Sequence, residues 1–345
     1  MRAFRLPGWG QAPRLEEVAV PVAGPGQVLV RVGACGLCHS DLAMMAMPAD
    51  VGDALGWQIP FTLGHEAAGW VAAVGDGVDG LSIGDAVAVA SPAFCGSCRW
   101  CAAGHQNRCA ATMVGRGYGR DGALADHVLV ERADALLPIG PLDPVQAAPL
   151  TDAGATAHHA VARALGSLEP GGTAVVIGAG GIGGFVVQLL RELRRARIIA
   201  VDPDPVRREL ALSWGAAEAI DGVGPATGRE LRAVLGADGA EAVIDVVGTD
   251  ATIGCAVRAA GVGASVVLVG AAGGQLQRPW YGSLPRDGTI TTFQGSDLTD
   301  AAAVLALAAE GRIEVPVERW PLDQAGEAYG ALEAGGLRGR AVVVP

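Results

Sequence analysis

Thr173-Ala-Val-Val-Ile-Gly-Ala-Gly-Gly-Ile-Gly183 decides how this sequence folds. A strand-forming run passes into Gly-x-Gly-x-x-Gly, with Gly178, Gly180 and Gly183 at the repeat positions and Gly181 and Ile182 between them. Glycine permits a tight turn, lets backbone approach a pyrophosphate and packs a helix closely on a strand. The N–H groups of the helix start then face the phosphates. Alone the pattern is weak. Here a strand precedes it, a helical stretch follows, and Asp202 ends the next strand, 19 residues beyond Gly183. An aspartate there accepts hydrogen bonds from ribose hydroxyls and repels a 2′-phosphate, so NAD(H) is expected rather than NADP. The plainer reading has Asp202 capping the following helix, and Pro203 and Pro205 suit either role.

Working outward, Arg197–Asp202, Ala242–Val247 and Ala264–Val269 are further continuous apolar strands. Parallel strands buried on both faces read this way. Between them lie candidate helices at Phe185–Arg195, Pro205–Trp214, Gly228–Leu235 and Ala251–Ala260. Such alternation specifies a doubly wound α/β domain with a Rossmann-type parallel sheet. The first 150 residues read differently, as short strands such as Val28–Val32 and Asp85–Ala90 between Gly, Pro and Asp turns. A terminal strand, Arg340–Pro345, closes the chain.

A length of 345 residues suits two domains. The net charge of −11 argues against a nucleic-acid partner, and every one of the 25 basic residues is arginine. Apolar runs such as Ala301–Ala309 fall short of a membrane span, and the N-terminus lacks the order of a signal peptide. A soluble cytoplasmic protein with no membrane partner is expected.

Four of the seven cysteines crowd together as C-x2-C-x2-C-x7-C at Cys95, Cys98, Cys101 and Cys109. Structural zinc takes four ligands in a closed tetrahedron, and tight spacings let one turn present neighbouring sulfurs. Ferredoxin spacings differ from this one. The lobe leaves no position open for substrate, so it reads as structural.

Two more segments carry ligand residue types, Gly36-Leu-Cys-His-Ser-Asp41 and Gly64-His-Glu-Ala-Ala-Gly69. With them the chain resembles the zinc-containing alcohol dehydrogenases of the medium-chain dehydrogenase/reductase superfamily. The likeness runs through Val74-Gly75, Gly84-Asp85, the cysteine lobe, Pro149-Leu-Thr-Asp-Ala-Gly154, the glycine loop and Gly339-Arg340, in the family's order. It implies a mainly β, GroES-like catalytic domain over 1–151 and 287–345, with the NAD-binding Rossmann domain inserted at 152–286. It also implies a catalytic zinc on Cys38, His65 and Asp152, so two zinc ions per chain with the lobe. An open fourth position would bind the alcohol and make it acidic.

By the same resemblance, Ser40 passes the alcohol proton outward and Glu66 stands beside the metal. His39 and Arg340 face the cofactor pyrophosphate, and Val247 and Val269 join the cofactor contacts. Many relatives finish the proton relay with a histidine where this chain has Ala43. The substrate pocket is assigned to Ser40, Ala43, Trp57, Phe61, Tyr118, Phe293 and Gln294, with Met44, Met45 and Met47 as added apolar wall. Cys35 and Cys255 read as core, and His105 as an exposed residue rather than a fifth ligand. The expected substrate is a small-molecule alcohol, aldehyde or ketone, and an apolar pocket suits medium or bulky ones. The expected assembly is a homotetramer or homodimer pairing near Thr289–Phe293. Rival readings are a zinc-free quinone or enone reductase and a non-catalytic zinc- and nucleotide-binding protein. The first lacks the paired zinc motifs, and the second predicts a broken site.

Overall fold

Strand Thr173–Ile177 lies near the middle of a parallel sheet. The structure is a computed structural model describing all residues except Pro92, Trp280, Val315 and the side chain of Thr112. Among the described residues the sheet has six strands, ordered Glu218–Asp221, Arg197–Asp202, Thr173–Ile177, Ala240–Asp245, Ala260–Leu268 and Thr289–Thr292. Val175 pairs with Ile199 on one side and Val243 on the other, and all three are fully buried. Apolar side chains on both faces of these strands therefore meet covering helices, namely Gly183–Arg194, Pro205–Ser213, Thr227–Leu235 and Asp250–Ala259.

The order in which strands are added switches from one side of Thr173–Ile177 to the other, and the glycine loop leaves its C-terminal end at that switch point. Gly178 has φ +89, and a Cβ at Gly183 would overlap the Gly178 carbonyl oxygen, so neither position accepts another residue without strain. The helix starts two residues before the expected Phe185 because Gly183 and Gly184 complete its first turn.

Among the described residues, two non-glycines take a positive φ, Arg195 at 50 and Asp287 at 57. Arg195 ends helix Gly183–Arg194 with φ 50 and ψ 35, where an L residue is disfavoured by about 1–2 kcal/mol. Arg195→Gly is expected to stabilise the protein by about 0.5–1 kcal/mol, after the unfolded-state entropy of glycine is subtracted. A higher thermal unfolding midpoint would be the readout, and an unchanged or lower one would refute the strain argument.

The other unit joins Met1–Ala155 to Gly295–Pro345, while Thr156–Gln294 forms the parallel-sheet unit. The divisions therefore fall after Ala155 and Gln294, whereas 151 and 286 were expected. Strand Thr289–Thr292 hydrogen-bonds to Ala260–Leu268 as the last member of the parallel sheet, which carries the second division past it. Asp152 stays in the first unit, beside His65.

That first unit is mainly β. Its larger sheet runs Leu136–Pro138, Ala86–Val89, Glu66–Val74, Val28–Gly36, Arg340–Val344 and Val317–Pro321, with His127–Val130 also on Val28–Gly36. Val28, Val30, Leu37, Leu63 and Val343 form its core with Phe61, which is 1 % exposed. Two short helices, His39–Met45 and Ala49–Ala54, interrupt what reads in sequence as strands and turns alone. Among the described residues, no helix is long and apolar enough to cross a membrane.

Candidate active site

Strand Val28–Gly36 delivers Cys38 to the N-cap of helix His39–Met45, and its neighbour begins at Glu66, directly after His65. Asp152 follows the turn Ala148–Thr151, which Thr151 closes by donating its hydroxyl to the Ala148 carbonyl at 2.8 Å. These elements bring Cys38, His65, Glu66 and Asp152 together, each offering one ligand atom, all within 4.8 Å of one another. His65 Nε2 lies 3.5 Å from Asp152 Oδ2 and 3.4 Å from Ser40 Oγ. Thiolate, imidazole and carboxylate are the donors that catalytic zinc takes, so the residues present fit the ion.

Charge within the group is balanced by close pairing. Burial opposes ionised Asp152, yet His65 and Arg340 hold its pKa below the usual carboxylate value. For His65, burial opposes the imidazolium, but the carboxylates of Asp41 and Asp152 hold the pKa well above the ordinary one. Burial raises Glu66 to about 7 against the opposing pull of Arg340. Glu66 Oε1 accepts from Arg340 Nη2, which also donates to the Leu37 carbonyl at 2.8 Å. A Cβ at Gly36 would overlap Glu66 Oε2, so the glycine of the Gly-Leu-Cys-His-Ser-Asp segment makes room for this carboxylate.

Tyr118 tilts over His65 with ring centroids 4.6 Å apart, and its hydroxyl lies 3.3 Å from Ser40 Oγ. Burial holds the phenol far above its normal pKa, so it stays neutral. Trp57 meets the Tyr118 ring edge-on at 6.2 Å and donates its indole N–H to the Met113 carbonyl at 2.8 Å. Phe61 is enclosed in the core and offers almost no surface to a substrate. Phe293 and Gln294 belong to the other unit, where Phe293 packs against His159 at 4.7 Å. His39 is exposed, while Arg340 is 6 % exposed. Asp41 had no role in the sequence reading, although Cys38-x-x-Asp41 has the spacing of a capping box. Its carboxylate accepts the Cys38 N–H at 3.1 Å.

In the cysteine lobe the four sulfurs also lie within 4.8 Å of one another, with Cys98–Cys101 at 3.5 Å and Cys95–Cys101 at 4.0 Å. A tetrahedron with zinc–sulfur bonds of ~2.3 Å has sulfur–sulfur edges of about 3.8 Å, so the set fits. Backbone N–H groups of Ser97 and Cys98 lower the Cys95 thiol to about 6, which favours the thiolate. His105 is half-buried, with Nδ1 3.6 Å from Asp297 Oδ2, and lies outside the four-sulfur set. Cys35 and Cys255 are buried.

At the glycine loop, the N-cap Ile182 of helix Gly183–Arg194 makes no side-chain cap and Gly184 N–H donates to the Gly180 carbonyl at 2.9 Å, while the positive end of the helix dipole suits an anion. Asp202 Oδ2 accepts from Ala179 N–H at 2.7 Å and Oδ1 from Asp204 N–H at 2.9 Å. The carboxylate is thereby fixed against the loop. Asp204, not Asp202, caps the next helix through Val206 N–H at 2.8 Å. Val247 packs beside Gly178, and Val269 N–H bonds the Asp245 carbonyl at 2.8 Å.

Comparison with known proteins agrees with this geometry. Residues 24–141 match the family described as alcohol dehydrogenase GroES-like domain, and residues 181–310 the zinc-binding dehydrogenase family. A relative from Sulfurisphaera tokodaii named NAD-dependent alcohol dehydrogenase is 35% identical over 100% of both chains. D-arabinose 1-dehydrogenase (NADP(+)) from Saccharolobus solfataricus is 28% identical over 100% of this chain and 97% of its own. Among solved structures, the alcohol dehydrogenase from Aeropyrum pernix superposes with a TM-score of 0.92 at 29% identity, covering 100% of each chain.

Proposed function

Since the chain belongs to the alcohol dehydrogenases of the medium-chain dehydrogenase/reductase superfamily, we propose that it is a two-zinc, NAD-linked enzyme interconverting small-molecule alcohols with aldehydes or ketones. The observation that carries this reading is the meeting of Cys38, His65 and Asp152, with Ser40 Oγ beside them. Bound there, zinc would acidify the alcohol hydroxyl, and NAD would accept the hydride from the carbon that bears it. Cys38, His65 and Asp152 hold the metal, and Asp152, the partly exposed carboxylate of the group, fills the place of third ligand. Ser40 receives the proton that leaves the reacting oxygen, and the neutral Tyr118 hydroxyl orients Ser40. Ala43 brings no titratable group, so the proton leaves by another route. Cys95, Cys98, Cys101 and Cys109 hold the second zinc. The glycine loop and the helix start at Gly183 bind the pyrophosphate, with His39, Arg340, Val247 and Val269 as further cofactor contacts.

Metal analysis should give about two zinc ions per chain, as the two ligand sets share no residue. Oxidation of NADH by a panel of aldehydes, ketones and aldoses tests the activity, and no turnover with any carbonyl would refute it. Asp202 would set its carboxylate against a 2′-phosphate. NADPH is therefore expected to show kcat/KM about a hundredfold below NADH, equivalent to ~2.7 kcal/mol. Equal use of both cofactors would remove Asp202 from the selectivity argument. Strand Thr289–Thr292, at the edge of the parallel sheet, is the surface through which two copies pair into a dimer or tetramer of this cytoplasmic enzyme.

A further inference from the structure

Behind the ligand set stands a carboxylate that reaches none of the metal positions. Asp41 is fully buried, and its Oδ1 faces His65 Nδ1 at 3.1 Å. The two atoms meet as a close ion-pair contact, and neither makes a hydrogen bond among the described residues. Oδ2 accepts two donors, the Cys38 N–H at 3.1 Å and the Tyr329 hydroxyl at 3.0 Å. One carboxylate thus touches two of the three proposed ligands, the backbone of Cys38 and the ring of His65. Tyr329 comes from helix Ala325–Glu333, close to the end of the chain. Its side chain is 4 % exposed and its ring stacks on Phe4, with centroids 6.2 Å apart.

We propose that Tyr329 is a positioning residue for the catalytic metal: its hydroxyl holds Asp41 in the one orientation that steers His65 and Cys38 together. The inference rests on the reading of Cys38, His65 and Asp152 as a metal site. A carboxylate with two donors on Oδ2 and an imidazole facing Oδ1 cannot turn about its Cβ–Cγ bond without breaking a hydrogen bond. With the Tyr329 donor gone, Oδ2 keeps only the Cys38 amide, and the plane of the carboxylate is less constrained. His65 then loses a fixed partner for Nδ1, and with it a fixed aim of Nε2. Burial, followed by the Asp41 charge, keeps the phenol pKa well above normal, so Tyr329 remains a donor at any working pH. Direct outer-shell partners of a metal-bound histidine change metal affinity by about 10–100-fold. Tyr329 acts one hydrogen bond further out, and a three- to tenfold effect is expected.

The test is Tyr329→Phe in the full zinc-loaded chain, which keeps the ring on Phe4 and deletes only the hydroxyl. Competition with dipicolinate should release the metal outside the cysteine lobe about three- to tenfold faster than in the unaltered protein, with lobe zinc release unchanged. Loaded with Co2+, the variant should show a displaced visible absorption band, since that band reports ligand geometry rather than fold stability. Wild-type release together with a wild-type cobalt spectrum would overturn the proposal. So would additive losses of metal affinity when Tyr329→Phe is combined with Asp41→Ala, because a residue acting through Asp41 adds nothing once its acceptor oxygens are gone. Should Asp41→Ala fail to fold, the release rate and spectrum of Tyr329→Phe decide alone. An unaltered chain that takes no metal outside the lobe would overturn the metal-site reading itself, a result distinct from an indifferent variant.

Discussion

Replacing Asp152 with alanine is expected to lower kcat by about a thousandfold and to take zinc from about two ions per chain to about one. Lewis-acid stabilisation of an alkoxide is worth several kcal/mol, and each ~1.4 kcal/mol is tenfold in rate. Two carboxylates compete for the role of third ligand, since Glu66 and Asp152 both lie in the cluster. Glu66 is already engaged by Arg340 and is fully buried, while Asp152 keeps partial access to solvent and lies beside His65 Nε2. The four-sulfur set has no atom in common with Asp152, so its zinc should stay. Asp152→Cys should retain both ions, with altered activity because a thiolate donates more charge and weakens the Lewis acid. Metal content and turnover measured side by side decide the matter. Two zinc ions and near-normal kcat in Asp152→Ala would assign the ligand to Glu66.

What the sequence made legible follows the range over which each signal acts. The glycine loop and the cysteine lobe are short, and their chemistry is fixed by spacing within one turn or two. The parallel sheet was equally readable, because strands such as Thr173–Ile177 are apolar on both faces. The proposed ligands Cys38, His65 and Asp152 are far apart in sequence, and only resemblance joined them. Helix His39–Met45 escaped because Cys38 is a poor N-cap by type, and the capping carboxylate comes from Asp41 three residues on. Phe61 illustrates a different gap. Its neighbourhood suggested a substrate wall, but pairing of Phe61–Thr62 with the strand Arg2–Leu6 carries it into the core. Contacts between Tyr329 and Asp41 span 288 positions, and no local pattern announces them.

The largest stability effect is expected at Arg340. Its guanidinium donates to Glu66 and to the Leu37 carbonyl inside the first unit, with Glu66 at 0 % and Arg340 at 6 % exposure. Arg340→Met fills much of the same volume but leaves Glu66 buried without its cation. Removing one partner of a buried pair costs about 3–5 kcal/mol, well above the ~1 kcal/mol of an ordinary hydrogen bond. Buried Glu66 can shed the stranded charge only by binding a proton, and with its pKa already raised to about 7 the loss should be largest well above that pH and shrink below it. If the stranded charge is the cause, Arg340→Met with Glu66→Gln should regain most of the loss, since a neutral amide needs no counter-ion. The unrecovered part, about 1 kcal/mol, belongs to the lost bond to Leu37. Thermal unfolding midpoints of the two single variants and the double variant separate these contributions. A double variant as unstable as Arg340→Met would show that packing of the arginine, rather than its charge opposite Glu66, holds the terminal strand in the sheet.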